Sequence, residues 1–471
     1  MTMIPLTPGA PADPSSRSAA LAVLRERFGD RLSTGEAVCR QHANTLTYLA
    51  CEPPEAVVFA ASTAEVAAVV DVARTYRMPI IPFGAGTSLE GHVNAPMGGI
   101  CLDLSGMNRV LAVNVGDMDC TVEAGVSRKR LAEDLRATGL FFSVDPGSED
   151  ATLGGMAATR ASGTCTVRYG TMRENVIALT AVMADGRIIK TATRAKKSAA
   201  GYDLTHLLVG SEGTLGIITE LTLRLHPVPD VVVAAVVPFA TLEQACTTTM
   251  AAMGAGLGLA RIELLDALQI HAVNRHAGLA LAETPTLFVE IHGTAAAAAE
   301  QVGLFAQIAQ EHGARSVDWA SEAGERKRLW RARHDALWAI RSTWPGRATL
   351  VTDVCVPLTR LAECVAATQA DIVAHGLLAP IVGHVGDGNF HTLVLFDAGS
   401  AAEVREAKAF AERLARRAIA MDGTCTGEHG IGQGKRDLLA AESGDAVAVM
   451  RQLKAALDPD GILNPGKVSD L

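Results

Sequence analysis

The chain has 471 residues, 49% of them hydrophobic and 20% charged, with 44 glycines; this is a globular composition, long enough for two or three domains, and it excludes a disordered chain. A formal net charge of -9 offers no positive field for nucleic acid or an anionic membrane, so any anionic ligand has to be held locally. Nine scattered cysteines without a CxxC pair fit reduced thiols, and the longest apolar run, 231–240, contains Pro238 and falls far short of the roughly 20 residues that span a bilayer.

Residues 1–16 carry neither a basic start nor an apolar stretch and read as a flexible leader before a helix from near Ser18, so secretion is not expected. Ser62 is an N-cap candidate for a helix with apolar residues at helical spacing, followed by a short strand that ends in glycines. Strands follow at 100–104, 121–124, 176–183, 187–193 and 215–225, with a helix at 128–138, and residues 51–227 read as one mixed α+β domain. The prolines at 227 and 229 mark a boundary. Beyond it, strands at 231–238, 260–264, 286–292, 315–318, 348–355, 379–384 and 391–396 alternate with helices near 241–254, 266–276, 295–313, 321–341 and 358–375. That rhythm predicts a sheet with helices packed on one face. A last helix, 401–421, leads to the segment GTCTGEHGIGQGK.

Three glycine-rich segments stand out. Pro82-Phe83-Gly84-Ala85-Gly86-Thr87-Ser88-Leu89 follows a strand, and its backbone N–H groups and hydroxyls suit a phosphate; the spacing is neither GxGxxG nor a Walker loop. An ordinary strand-to-turn connection is the competing reading. Asp145 to Thr159, continuing through Ala161 to Thr164, has the small residues that let backbone lie along a flat ligand, and Gly210 to Thr219 joins a tight turn to a β-branched strand.

Residues 379–396 read as strand, turn, strand, with Asp387-Gly388 supplying the turn, so that the fold-back brings His384 and His391 together. Two imidazoles on a rigid hairpin are good ligands for a borderline divalent ion, and Glu428 of the Glu428-His429 pair is the candidate carboxylate. Read alone, the histidines are sooner surface residues beside a turn, a reading that only a family resemblance reverses.

Together these segments resemble the FAD-binding domain of the vanillyl-alcohol oxidase and p-cresol methylhydroxylase type. From about 40 to 467 the chain is similar to FAD-linked D-2-hydroxy-acid dehydrogenases, the group of D-lactate dehydrogenase (cytochrome) and the glycolate oxidase D subunit. The resemblance implies an α+β fold: a two-lobed FAD domain at 51–228, after a helical lead-in at 1–50, and a ferredoxin-like antiparallel cap at 229–421. The segment 422–471 would return to the FAD domain. It implies that Pro82, Gly84, Ala85, Gly86, Thr87, Ser88 and Leu89 bind the FAD pyrophosphate. Pro146, Gly147, Gly154, Gly155, Ala157, Ser162, Gly163 and Tyr169 would line the flavin and ribityl chain, Gly213, Ile217 and Ile218 the adenine side, and Asn464 would also contact the cofactor. The flavin would be non-covalent.

By the same resemblance, His384, His391 and Glu428 bind zinc or manganese, His429 is the base, and Arg333 and Asn389 contact substrate, with hydride leaving C2 for flavin N5. A metal would lower the hydroxyl pKa, and a histidine can accept the proton at neutral pH. Arg333 has a plainer reading as a solvated arginine among basic helix neighbours. Where 2-hydroxyglutarate enzymes have a lysine and an asparagine for a second carboxylate, this chain has Val351 and Leu393, which favours a small monocarboxylate such as D-lactate. Cys165, Cys355 and Cys425 lie near motif residues and read as small core residues.

Expected partners are a 2-hydroxy acid and an electron acceptor, which could be a quinone, a cytochrome or an electron-transfer flavoprotein, with no nucleic acid and no transmembrane anchor. A cytoplasmic or membrane-peripheral protein, compatible with a homodimer, is expected. Rival readings are a 2-hydroxyglutarate or glycolate dehydrogenase, an aryl-alcohol or phenol oxidase on the same fold, a non-flavin metal hydrolase, and a non-catalytic subunit.

Overall fold

The structure, a computed structural model, describes residues 13–43, 47–320 and 322–469. The chain divides into two compact units, one made of Met1–Ala161, Thr171–Pro227 and Glu428–Leu471, the other of Ser162–Gly170 and Val228–Gly427. By this division, residues 162–170 go with the second unit and the return to the first comes at Glu428 rather than at 422.

In the first unit the opening helix runs Pro14–Phe28 and starts four residues before the expected Ser18, because the Asp13 carboxylate accepts the N–H groups of Ser15 and Ser16. Of the expected leader, residues 1–12 lie outside the described residues. Strands β1 (Leu32–Ser33), β2 (Ala56–Phe59), β3 (Ile80–Phe83) and β4 (Ile100–Asp103) form a sheet in the order β1-β2-β4-β3, with β2, β4 and β3 parallel. Helix Thr63–Tyr76 connects β2 to β3; Ser62 caps it by accepting Glu65 N–H, and it buries Val66, Val69, Val70 and Ala73. This crossover delivers the Pro82–Leu89 segment at the carboxyl end of β3.

The second sheet of this unit holds β5 (Val110–Asn114), β6 (Asp119–Glu123), β8 (Val176–Val182), β9 (Ile188–Lys190) and β10 (Ile217–Arg224), all antiparallel, in the order β5-β6-β10-β8-β9. The short β7 (Leu140–Phe141) pairs with β11 (His226–Pro227). Apolar residues from both sheets and from helix Thr63–Tyr76 share one core that includes Val58, Val69, Leu102, Val122, Leu179 and Leu221.

The second unit is built on one antiparallel sheet of β12 (Val231–Pro238), β13 (Leu259–Leu265), β14 (Thr286–Gly293), β15 (Asp318–Ala320), β16 (Ala348–Val351), β17 (Val354–Cys355), β18 (Ile381–Gly383) and β19 (Asn389–Phe396). Its order is β15-β12-β14-β13-β18-β19-β16, with β17 also on β19. Helices cover both faces, which corrects the expectation of one. On one face Phe305 of helix Ala295–Glu311 meets Trp319 edge-on. On the other, Ile270, Trp330, Ala339 and Ile340 from three further helices pack on Val236, Leu265, Phe288, Val382 and Leu393. The alternation of strand side chains explains this: β12 is apolar on both sides, and the side that carries Glu263 and Glu290 also presents Val236, Leu265 and Phe288, so both sides need cover.

Two expected elements are broken. The strand expected over 348–355 divides at Thr352 and Asp353, whose polar groups face inward for the site described below, and the helix expected over 321–341 divides at Asp335. Asp335 caps both halves, donating its N–H to Arg331 O and accepting Ala339 N–H.

Candidate active site

The segment after β3 is shaped to receive an anion. Gly86 has φ +64°, and among the described residues the backbone N–H groups of Gly84, Ala85, Gly86, Thr87 and Ser88 find no backbone acceptor. Ser88 Oγ and Ser211 Oγ, both in the first unit, are buried without a hydrogen-bond partner. Unpaired buried donors carry a substantial cost unless a ligand satisfies them, so the cradle fits a pyrophosphate. Other glycines of the expected set have packing reasons. A Cβ on Gly84 would stand 2.1 Å from Thr152 Oγ1, one on Gly154 2.6 Å from Ala124 Cβ, and one on Gly213 3.0 Å from Pro82.

The remaining expected flavin contacts are spread over both units. Pro146 is half-buried, Gly147 and Gly155 are exposed, and Ala157, Ile217 and Ile218 are buried in the first unit's core. Ser162, Gly163 and Tyr169 belong to the second unit, where Gly163 N–H bonds Thr166 Oγ1 and Tyr169 Oη lies 2.8 Å from His292 Nδ1. Asn464, at φ 42°, donates its amide hydrogens to His92 O and Glu212 O, so it braces the first unit's loops.

Glu428 and His429 open the last segment of the first unit, with His429 Nε2 3.6 Å from Glu428 Oε1. The loop that follows them is gripped by Glu212, whose two oxygens accept the N–H groups of Ile431 and Gly432, each at 2.7 Å. His92 Nε2 lies 3.1 Å from the same carboxylate. Burial by itself would raise the Glu212 pKa, but the His92 imidazole and those two N–H groups outweigh it and hold the carboxyl below its ordinary range. Glu212 itself has φ 53°, a left-handed backbone that a non-glycine residue adopts only where surroundings enforce it. Sequence reading passed over Glu212 although it lies within a singled-out motif.

In the second unit the hairpin forms as expected. A tight turn at Val385–Asp387 and Gly388 at φ +78° connect β18 to β19, and the His384 and His391 rings lie 5.6 Å apart, edge to face. Register explains the shared face: His391 is paired with Val382, two residues before His384, and Val382 with Leu265, two residues after Glu263. His384 Nδ1 is 2.8 Å from Glu263 Oε1, and His391 Nδ1 is 3.0 Å from Thr352 O. An acceptor at Nδ1 sets both neutral imidazoles as Nδ1–H tautomers, so each Nε2 carries the lone pair a metal requires. One ligand atom of each lies within 4.8 Å of the other.

Around them is a buried polar row. Arg333 is only 8% exposed, so the solvated reading does not hold, and its Nη2 lies 2.5 Å from Glu263 Oε2. Asn389 Nδ2 donates to Asp353 Oδ1 and Val354 O, both at 2.8 Å, while Asp353 Oδ2 accepts from Thr426. Farther along the same face, His292 and Arg261 flank Glu290; burial would raise that carboxyl, and the hydrogen bond from His292 and the charge of Arg261 help keep it lowered. Val351 and Leu393 are direct cross-strand partners against the apolar cluster, on the face that carries His391. Among the described residues no cysteine is in a disulfide, and burial pushes Cys355 up to about 12, well away from a thiolate.

A family model described as "FAD binding domain" matches residues 54–192, and one described as "FAD linked oxidases, C-terminal domain" matches residues 228–468. The chain is 51% identical to a "Probable D-lactate dehydrogenase, mitochondrial" of Danio rerio, over 95% of this chain and 91% of that protein. It is 48% identical to the mitochondrial D-lactate dehydrogenase (cytochrome) of Arabidopsis thaliana, over 88% of this chain and 73% of that one. The solved structure of p-cresol methylhydroxylase with substrate bound aligns at a TM-score of 0.83 and 17% identity, over 98% of both chains, a likeness of fold alone.

Proposed function

This chain belongs to the family of FAD-linked oxidases, and within that family we propose that it is the dehydrogenase that oxidises D-lactate to pyruvate with the help of a divalent metal. The observation that carries the substrate is the 51% identity to a relative named for D-lactate. The Val351 and Leu393 pair supports it, since a second carboxylate beside His391 would meet an apolar surface and cost several kcal/mol to desolvate.

FAD would be held by the 82–89 cradle at its pyrophosphate, by Pro146, Gly147, Gly154, Gly155, Ala157, Ser162, Gly163 and Tyr169 along the flavin and ribityl chain, and by Gly213, Ile217, Ile218 and Asn464 toward the adenine. Zinc or manganese would be held by His384, His391 and Glu428. When bound, these groups supply a hydride acceptor at flavin N5 and Lewis acidity toward the substrate hydroxyl. The chain's own residues do the rest. His429 takes the hydroxyl proton on an imidazole nitrogen. Arg333 binds the substrate carboxylate, and its buried Nε, which has no hydrogen-bond partner, is a donor for it. Asn389, with both amide hydrogens committed, offers the hydroxyl its carbonyl oxygen.

The electron acceptor is a separate partner: a cytochrome, a quinone or an electron-transfer flavoprotein. Among the described residues no helix is long and apolar enough to cross a membrane; a cytoplasmic or membrane-peripheral location and a homodimer belong to the same reading.

Anaerobic flavin bleaching across D- and L-2-hydroxy acids, with and without chelator, tests this. D-lactate should bleach the flavin fastest and chelation should stop it; preference for 2-hydroxyglutarate, or bleaching untouched by chelation, would overturn the substrate or the metal. His429→Ala should stay yellow and stop bleaching.

A further inference from the structure

Glu263 is a deeply buried carboxylate beside the hairpin, 1% exposed on β13, and nothing in its local sequence assigns it a task. Its two oxygens are divided: Oε1 lies 2.8 Å from His384 Nδ1 and Oε2 lies 2.5 Å from Arg333 Nη2. A buried carboxylate is stable in such a setting only with partners of this kind, and a buried guanidinium likewise. The chemistry at each end is directional. A carboxylate can only accept, so it holds the His384 proton on Nδ1 and turns the Nε2 lone pair away from itself. At the other end its charge stations the Arg333 fork, whose Nε is buried without a partner. His391 receives the same tautomer from the Thr352 carbonyl at 3.0 Å, with the Asp353 carboxylate 3.6 Å from the same nitrogen.

Resting on the reading above, we propose that Glu263 is a positioning residue that sets His384 as an Nε2 metal ligand and stations Arg333 for the substrate carboxylate, so that one side chain tunes metal affinity and lactate affinity together. The idea goes beyond the ligand set, because Glu263 touches neither metal nor substrate in it.

The full-length yellow enzyme is stripped with chelator and titrated with Mn(II) or Zn(II), as wild type and as Glu263→Gln. The amide can still accept from His384 but presents its NH2 to Arg333 and lacks the charge. Metal affinity should fall roughly 10–100-fold, and the KM for D-lactate should rise, while FAD content, read from the flavin absorbance, is unchanged. If Glu263→Gln does not accumulate as yellow protein, Glu263→Asp, which keeps the charge and shortens the reach, carries the same titration and should lose affinity in the same direction. Affinity within about twofold of wild type, with an unchanged KM, overturns the proposal alone. A wild-type enzyme that takes up neither metal overturns both this proposal and the metal reading beneath it.

Discussion

Single side chains here act over long stretches of chain. Glu212 grips the loop that follows His429 from 219 residues away, through a charge-assisted bond to Ile431 N–H. Glu212→Gln should cost about 1.5–3 kcal/mol at neutral pH, the usual worth of a bond to a charged group, and slow flavin reduction by lactate. The carboxyl is held below its ordinary range, so its contribution is complete above the unfolded carboxylate pKa and fades as pH falls through the folded value. The variant should therefore show a flatter acid limb of stability; an unchanged acid limb in denaturant melts would refute the assignment. Lys467 gives a slope of the same sign at alkaline pH, from a charged form that burial disfavours. Burial lowers it to about 8, so between there and its unfolded pKa the unfolded chain binds more protons than the native one. Native stability should rise over that window by up to about 3 kcal/mol, and Lys467→Met should abolish the rise.

Among elements, the hairpin was readable from its residues because everything it needs is local: two apolar strands, an Asp-Gly turn and histidines at either end. Gly388 is the position it cannot change. At φ +78° an added Cβ would stand 2.1 Å from Val356 O, and Val356 N–H is itself bonded to Gly388 O, so the carbonyl cannot move aside without straining that bond. Gly388→Ala should cost more than the roughly 1 kcal/mol typical of such a change, lower the melting midpoint and release metal while the flavin stays bound. Metal content and melting equal to wild type would show that the turn is not what sets the histidines. The breaks at Thr352, Asp353 and Asp335 were not readable. Apolar periodicity continues across them, and at Thr352 and Asp353 what interrupts the strand is a set of polar partners, Thr392 and Asn389 of β19 and Thr426.

For the whole molecule, the residues assigned to FAD lie chiefly in the first unit, while the paired histidines belong to the second. Saturating a site stabilises what it binds by about 2.7 kcal/mol at a ligand concentration a hundred times Kd. Metal and FAD should thus shift melting separately, and dialysis against chelator should leave the flavin absorbance intact. Loss of flavin along with metal would show that the two sites are not separable in this way. The sequence by itself determined the α+β class, the glycine cradle after β3, the hairpin and the identity of the histidines. Those depend on runs of residues whose periodicity, turn chemistry and spacing are local. Only the tertiary structure decided that helices cover both faces of the second sheet, that Arg333 is buried against Glu263, and that Glu212 anchors the loop after His429. The last two are meetings of groups more than 60 residues apart, as is that of His384 with Glu263 at a separation of 121, and a linear pattern carries no signal for a partner that only the folded backbone brings within reach.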